Sequence, residues 1–175
     1  MDEPSQDERY HQAAADYGAA LERLARAYEF DADRRRDLLQ EIHLALWRSL
    51  AAFDGRCSLR TWVYRVAHNT AVSYGIGRRR SGDRNLVSIE EVELTLGDRD
   101  GDAAAGRRHA LARLTELIQS LKPLDRQVIL SYLEGMDAAA IGEITGLAAG
   151  NVATKIHRIK TVLARRFSEG VNHAE

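Results

Sequence analysis

Residues 137–166, DAAAIGEITGLAAGNVATKIHRIKTVLARR, narrow the possible folds more than any other part of the chain. At helical spacing Ala140, Ile141, Ile144 and Leu147 form one apolar stripe. After a break at 146–150, Val152, Ile156, Ile159, Leu163 and Phe167 form a second. A short helix, a tight glycine-containing turn and a longer second helix make a helix-turn-helix, whose second helix can enter a major groove. The polar face of that helix carries Asn151, Thr154, Lys155, His157, Arg158, Lys160, Arg165 and Arg166, with no acid between Asn151 and Phe167. Such a face offers side chains to base edges near the helix start and cations to phosphates further along. The alternative is a solvated basic helix that merely closes a bundle. Groove insertion is favoured because charge and turn fall together where it needs them.

The rest of the chain bounds what surrounds this motif. At 175 residues it holds one domain or two small ones. It is 45% hydrophobic and 29% charged, ordinary for a globular protein, and its apolar runs are only a few residues long, so no membrane insertion is expected. The acidic, polar start MDEPSQDERYHQ is unlike a cationic signal peptide, which predicts a cytoplasmic protein. The single cysteine, Cys57, excludes an internal disulfide and a cysteine-cluster metal site, leaving an ordinary thiol or a redox sensor. Two prolines and few strand-like alternations predict an all-α fold.

A net charge of −1 hides a segregation of sign. Residues 1–37 carry ten acids against six bases, and residues 56–84 carry seven arginines against Asp83 alone. Residues 85–104 are acidic again, with only Arg99 opposing, and the last helix is basic. Two basic blocks separated by an acidic connector predict two anion-binding surfaces joined by a linker.

The expected organisation follows from these breaks. Residues 1–8 are expected to be a disordered N-terminus. Residues 9–80 are expected to form a first helical bundle. Its first helix, 9–30, turns Ala20, Leu21, Leu24, Ala25 and Tyr28 to one side. Asp33 is the expected N-cap of a second helix, 34–52, which buries Leu38, Leu39, Ile42, Ala45, Leu46 and Leu50. Asp37, Gln40, Glu41 and Arg48 are left outward. After a turn at 53–56, Ser58 caps a third helix with Leu59, Val63, Val66, Thr70 and Tyr74 inward. Gly75 and Gly77 each cost a helix about 1 kcal/mol relative to alanine, so this helix is expected to end or fray near Tyr74.

Residues 81–104 read as a flexible acidic linker. Residues 105–170 read as a second, four-helix bundle containing the helix-turn-helix. Its first helix turns Leu111, Leu114, Leu117, Ile118 and Leu121 inward. In the next helix Pro123 sits in the first turn, Gly135 closes the end, and Leu124, Val128 and Tyr132 face the core.

The third helix carries a second chemical surface: Arg60, Trp62, Arg65, His68 and Asn69, extended by Arg78, Arg79 and Arg80. Aromatic faces stack on unpaired bases, amides read their edges, and arginines hold the backbone. Two readings of Trp62 stand side by side, a stacking platform or a core residue. No enzyme and no cofactor are expected. The six histidines form no HExxH or comparable metal pattern, and neither a phosphate-cradling glycine loop nor a recognisable nucleophile motif is present.

Two blocks of this sequence resemble a known family. Residues 35–72, RRDLLQEIHLALWRSLAAFDGRCSLRTWVYRVAHNTAV, look like the first conserved domain of bacterial RNA polymerase sigma factors of the extracytoplasmic-function class. Residues 121–167, LKPLDRQVILSYLEGMDAAAIGEITGLAAGNVATKIHRIKTVLARRF, are similar to their second. The first block is the more specific, because DLLQE, LWR and LRTWVYRVAHN rarely occur together elsewhere. The resemblance implies binding to core RNA polymerase (the β′ clamp helices and the β flap), promoter recognition and promoted strand opening. It implies that Asp37, Gln40 and Glu41 face the clamp helices, with Trp47 and Leu46 supporting that face from beneath. It places Asn69 near a flipped base of the minus-ten element, with Arg65 and Trp62 roughly one and two turns earlier and Arg60, His68 and Arg78 to Arg80 beside it. Asn151, Thr154, Lys155 and Arg158, with His157 adjacent, match groove-facing positions for the minus-thirty-five element. An anti-sigma factor is an expected further partner.

Three positions depart from the family pattern. Ala148 replaces a frequent capping serine, Ala153 a frequent basic residue, and Gly75 and Gly77 interrupt an often continuous arginine-rich helix. A free-standing regulator with an N-terminal sensor or dimerisation bundle remains the competing class. It predicts tight palindromic binding without polymerase.

Overall fold

The computed structural model describes residues 4–80 and 103–172. Among them are seven helices and no strand: α1 (Gln6–Tyr28), α2 (Ala32–Leu50), α3 (Leu59–Arg80), α4 (Ala103–Gln119), α5 (Pro123–Leu133), α6 (Ala138–Thr145) and α7 (Ala149–Asn172). The first three form one bundle and the last four another. The 81–104 linker lies outside the described residues except for its last two, which open α4.

Local capping chemistry sets the helix ends, and it revises several expectations. Residues 4–8 are ordered, because Ser5 caps α1. Its hydroxyl accepts from the Glu8 N–H at 3.2 Å while the Glu8 carboxylate accepts from the Ser5 N–H at 2.7 Å. Asp31 and not Asp33 caps α2, its carboxylate accepting from the Asp33 and Arg34 N–H groups. The Ser58 hydroxyl accepts from the Thr61 N–H at 3.0 Å, as expected. Helix α3 runs through Gly75 and Gly77 to Arg80 without ending near Tyr74. A preceding helix of sixteen residues already carries the nucleation cost, so two glycines weaken the last turns without stopping them.

The apolar stripes meet as predicted, with local exceptions. Leu21, Leu24, Leu38, Ile42, Leu46, Leu50, Val63 and Tyr64 are buried in the first bundle. Ile118, Val128, Ile129, Ile141, Ile144, Val152, Ile159 and Leu163 fill the second. Leu111 is 64% exposed, and Leu124 and Tyr132 also lie open, because the α4 and α5 stripes are wider than the core they cover. The two bundles also pack against each other, α3 on α5 and α6, and α1 on α4.

The helix-turn-helix depends on one close approach. Gly146 ends α6 in the left-handed region at φ 77°, which turns the chain back over Gly142. A Cβ on Gly142 would lie 2.6 Å from the Leu147 carbonyl oxygen. Gly142→Ala gains roughly 1 kcal/mol of helix propensity but crowds backbone that cannot rotate away. The net expectation is a loss of about 1–3 kcal/mol in denaturant unfolding; an unchanged or raised midpoint would show that the turn relaxes freely.

Candidate nucleic-acid and polymerase interfaces

Three helix faces carry the expected site residues, and the fold treats them differently. On α2, residues spaced three and four apart share a face. Asp37, Gln40, Glu41, Leu44, Trp47 and Arg48 are all exposed along it. Leu46 lies fully buried beneath, as expected. Trp47 does not support from beneath: it is 40% exposed, its indole N–H donating to Asp7 Oδ1 at 2.8 Å while Gln6 Nε2 donates to its carbonyl. The first turn of α1 thus holds Trp47 at the rim of the face. Leu44, 41% exposed, was missed by sequence reasoning. Its spacing from Gln40 and Glu41 was the available signal.

On α7 the division into faces is clean. Val152, Ile159 and Leu163 are buried, and Asn151, Thr154, His157 and Arg158 are open. The Thr154 hydroxyl donates to the Gly150 carbonyl at 3.0 Å, which fixes its rotamer. Lys155 differs from the expectation of a free cation. Its ammonium donates to Asp125 Oδ1 at 2.6 Å, in a half-buried pair with the first turn of α5. Asp125 sits thirty residues earlier, so only the packing of α5 on α7 reveals it.

On α3 the tertiary structure rearranges the expectation most. Asn69 is exposed. Trp62 is part of the packing, its indole N–H donating to Ser49 Oγ at 3.0 Å and its ring edge-on to Phe53. Arg60 donates to the Glu134 carbonyl and lies 5.9 Å over the Tyr64 ring. Arg65 is half-buried in a cleft with Asp54, Arg56, Cys57 and Glu143, and its Nε has no hydrogen-bond partner among the described residues. His68 is a correction. It is fully buried, with Tyr28 Oη 3.0 Å from Nδ1 and Ser131 Oγ 3.3 Å from Nε2. A neutral imidazole, with one donor and one acceptor nitrogen, matches two hydroxyls. It faces α5 and not DNA. Arg78, Arg79 and Arg80 lie on the last turn of α3, with side chains outside the described residues.

Two sequence models match the chain, Sigma-70 region 2 over residues 14–81 and Sigma-70, region 4 over residues 111–163. They fall on the first and second bundles in order. Among relatives, CnrH of Cupriavidus metallidurans is 29% identical over 164 residues, 89% of this chain and 84% of the relative. The sigma-H factor of Pseudomonas aeruginosa is 28% identical over 140 residues, 76% of this chain and 72% of its own. Solved structures share the fold. CnrH with the cytosolic domain of CnrY gives a TM-score of 0.65 at 22% identity, covering 91% of this chain and 88% of CnrH. RpoE of Bartonella quintana with the anti-sigma factor NepR gives 0.67 at 20% identity, covering 91% and 96%.

Tandem regions 2 and 4 define a promoter-recognising RNA polymerase sigma factor and do not favour a free-standing regulator. The chain belongs to the extracytoplasmic-function class of that family. Proteins of this family are initiation factors whose domains bind core RNA polymerase and promoter DNA.

The buried histidine makes stability depend on pH. Burial pushes the His68 pKa from 6.5 down to about 3, so its folded value lies below its unfolded one. Its stabilising share is therefore complete above the unfolded value and is lost as pH falls through it, because the unfolded chain binds the proton first. One unit below pH 6.5 the loss from this residue is about 1.4 kcal/mol. His43, also lowered by burial, acts in the same direction. The share of His68 is therefore the difference between the natural chain and His68→Gln in denaturant unfolding at about pH 7.5 and about pH 5.5. Equal losses in the two proteins would refute it.

Proposed function

We propose that the chain divides promoter recognition among its three faces. The α2 stripe of Asp37, Gln40 and Glu41, rimmed by Leu44 and Trp47, docks on the β′ clamp helices. Carboxylates and an amide around exposed apolar groups suit a partner helix bearing arginines. The α3 flank, with Asn69 foremost and Arg60, Trp62, Arg65 and Arg78 to Arg80 around it, takes the opened minus-ten strand. His68 supports that flank from inside. Asn151, Thr154, Lys155, His157 and Arg158 read the minus-thirty-five duplex, Lys155 after parting from Asp125, with the second bundle against the β flap. Residues 4–80 and 105–170 are the working units. The protein acts in the cytoplasm, is no enzyme, and takes an anti-sigma partner as the RpoE neighbour does.

The observation that carries this reading is the coincidence of the region 2 and region 4 matches with an exposed acidic stripe on α2 and an exposed polar stripe on α7. A magnitude explains why polymerase is needed. Opening about ten base steps costs on the order of 14 kcal/mol, whereas specific over non-specific DNA binding gains only about 4–10 kcal/mol. The free chain should therefore leave linear promoter DNA closed. Permanganate footprinting should detect a bubble only with core polymerase present, and a bubble formed by the chain alone would refute the account.

A second measurement addresses the α2 face. Asp37→Lys combined with Glu41→Lys alters only exposed positions, so stability should stay within about 1 kcal/mol for the pair. Co-purification with core polymerase should fall at least tenfold. Retention of core by this variant would move the docking face elsewhere.

A further inference from the structure

We infer that Asp7 is a positioning residue for polymerase docking: it holds the Trp47 indole N–H, so that the ring can be covered by the partner without leaving that donor unpaired. This rests on the assignment of the α2 face to the β′ clamp helices proposed above. Trp47 Nε1 donates to Asp7 Oδ1 at 2.8 Å, across forty residues of chain. Gln6 Nε2 donates to the Trp47 carbonyl, also at 2.8 Å. Both contacts come from the first turn of α1, which the Ser5–Glu8 capping box closes. The Sigma-70 region 2 match begins only at residue 14, so this turn lies outside the shared segment.

The turn is itself fastened to the chain on either side of Trp47. Tyr10 Oη lies 3.1 Å from His43 Nδ1, one turn before Trp47 on α2. Arg9 Nη1 donates to the Phe53 carbonyl, beyond the end of α2, at 3.4 Å. Asp7 is therefore presented to the indole by an anchored turn.

An exposed tryptophan suits an interface centre because few side chains offer as large an apolar face. Here Trp47 and Leu44, three positions apart on α2, are 40% and 41% exposed. The drawback of such an anchor is its indole N–H, which is a donor only. In a free chain water can accept from it. Once a partner helix covers the ring that water is gone, and a buried donor without an acceptor weakens the complex. Asp7 supplies the acceptor from within the chain before docking begins. The same bond fixes the ring, so less rotamer freedom is lost when the partner arrives. Asp37 and Glu41 offer charge across the interface, whereas Asp7 acts through the indole.

The test measures binding of full-length variants to core RNA polymerase, in competition with the labelled natural chain. Asp7→Ala should weaken binding roughly fivefold or more, the size expected of one orphaned buried donor. Asp7→Asn keeps an oxygen for the indole and should stay within about twofold of the natural chain. Trp47→Phe removes the N–H, so in that background Asp7→Ala should change affinity by less than about twofold. Fraying of α1, or a direct charge contact between Asp7 and polymerase, would carry its full loss into the Trp47→Phe background. Unchanged affinity in Asp7→Ala, an equal loss in the Trp47→Phe background, or Asp7→Asn as weak as Asp7→Ala overturns the inference. Asp37→Lys with Glu41→Lys is run beside these variants. If that pair loses core and Asp7→Ala does not, only the inference fails. If the pair keeps core, the α2 docking reading fails and the Asp7 variants still judge the contact at Trp47. No binding of core by the natural chain overturns both.

Discussion

Helix α3 has to satisfy two packing partners at once, and the arrangement of the molecule depends on that double burial. One side carries Val63, Ala67 and Ala71 into the first bundle. The adjoining side carries His68 and Arg60 against α5, where Ser131 and the Glu134 carbonyl receive them. An apolar contact alone would hold the bundles without fixing their orientation. Here the buried imidazole must have two hydroxyl partners, and a buried polar group without its partner costs about 1–3 kcal/mol. That penalty ties Tyr28, His68 and Ser131 into one register across two bundles.

The same economy governs where the proposed functional faces sit. Exposed stripes on α2 and α7 lie opposite their buried ones, so the proposed docking side chains stand on rigid helices and not on loops. Acidic Glu134 and Asp125, both of the second bundle, neutralise Arg23 from the first and Lys155 from the recognition helix. Glu134 has its carboxyl held below the usual range chiefly by the hydrogen bond from Arg23.

Much of the fold was legible from periodicity. The stripes Leu38, Ile42, Leu46, Leu50 and Ile141, Ile144 declare their helices because a helix repeats every 3.6 residues whatever surrounds it. Boundaries were less legible. Asp31 and Asp33 are equally good caps in sequence, and only the path of the chain out of α1 selects the first. The continuation of α3 past two glycines was missed because propensity is a weak prior once packing and an established helix support the turn. Leu111, Leu124 and Tyr132 belong to apolar stripes yet lie open, because a stripe can be wider than the neighbour that covers it.

By itself the sequence determined that the chain is helical, that its apolar faces divide into two groups, and that its recognition motif carries an acid-free polar face. These properties are local, set by spacing within a few turns and by side-chain chemistry. Only the tertiary structure decided that His68 is sealed inside, that Trp62 packs on Phe53 with its indole nitrogen on Ser49, and that Lys155 and Arg60 are already engaged. Their partners lie between nine and seventy-four residues away in the chain. Helical periodicity assigns a residue to a face, but which neighbour meets that face depends on how whole helices pack.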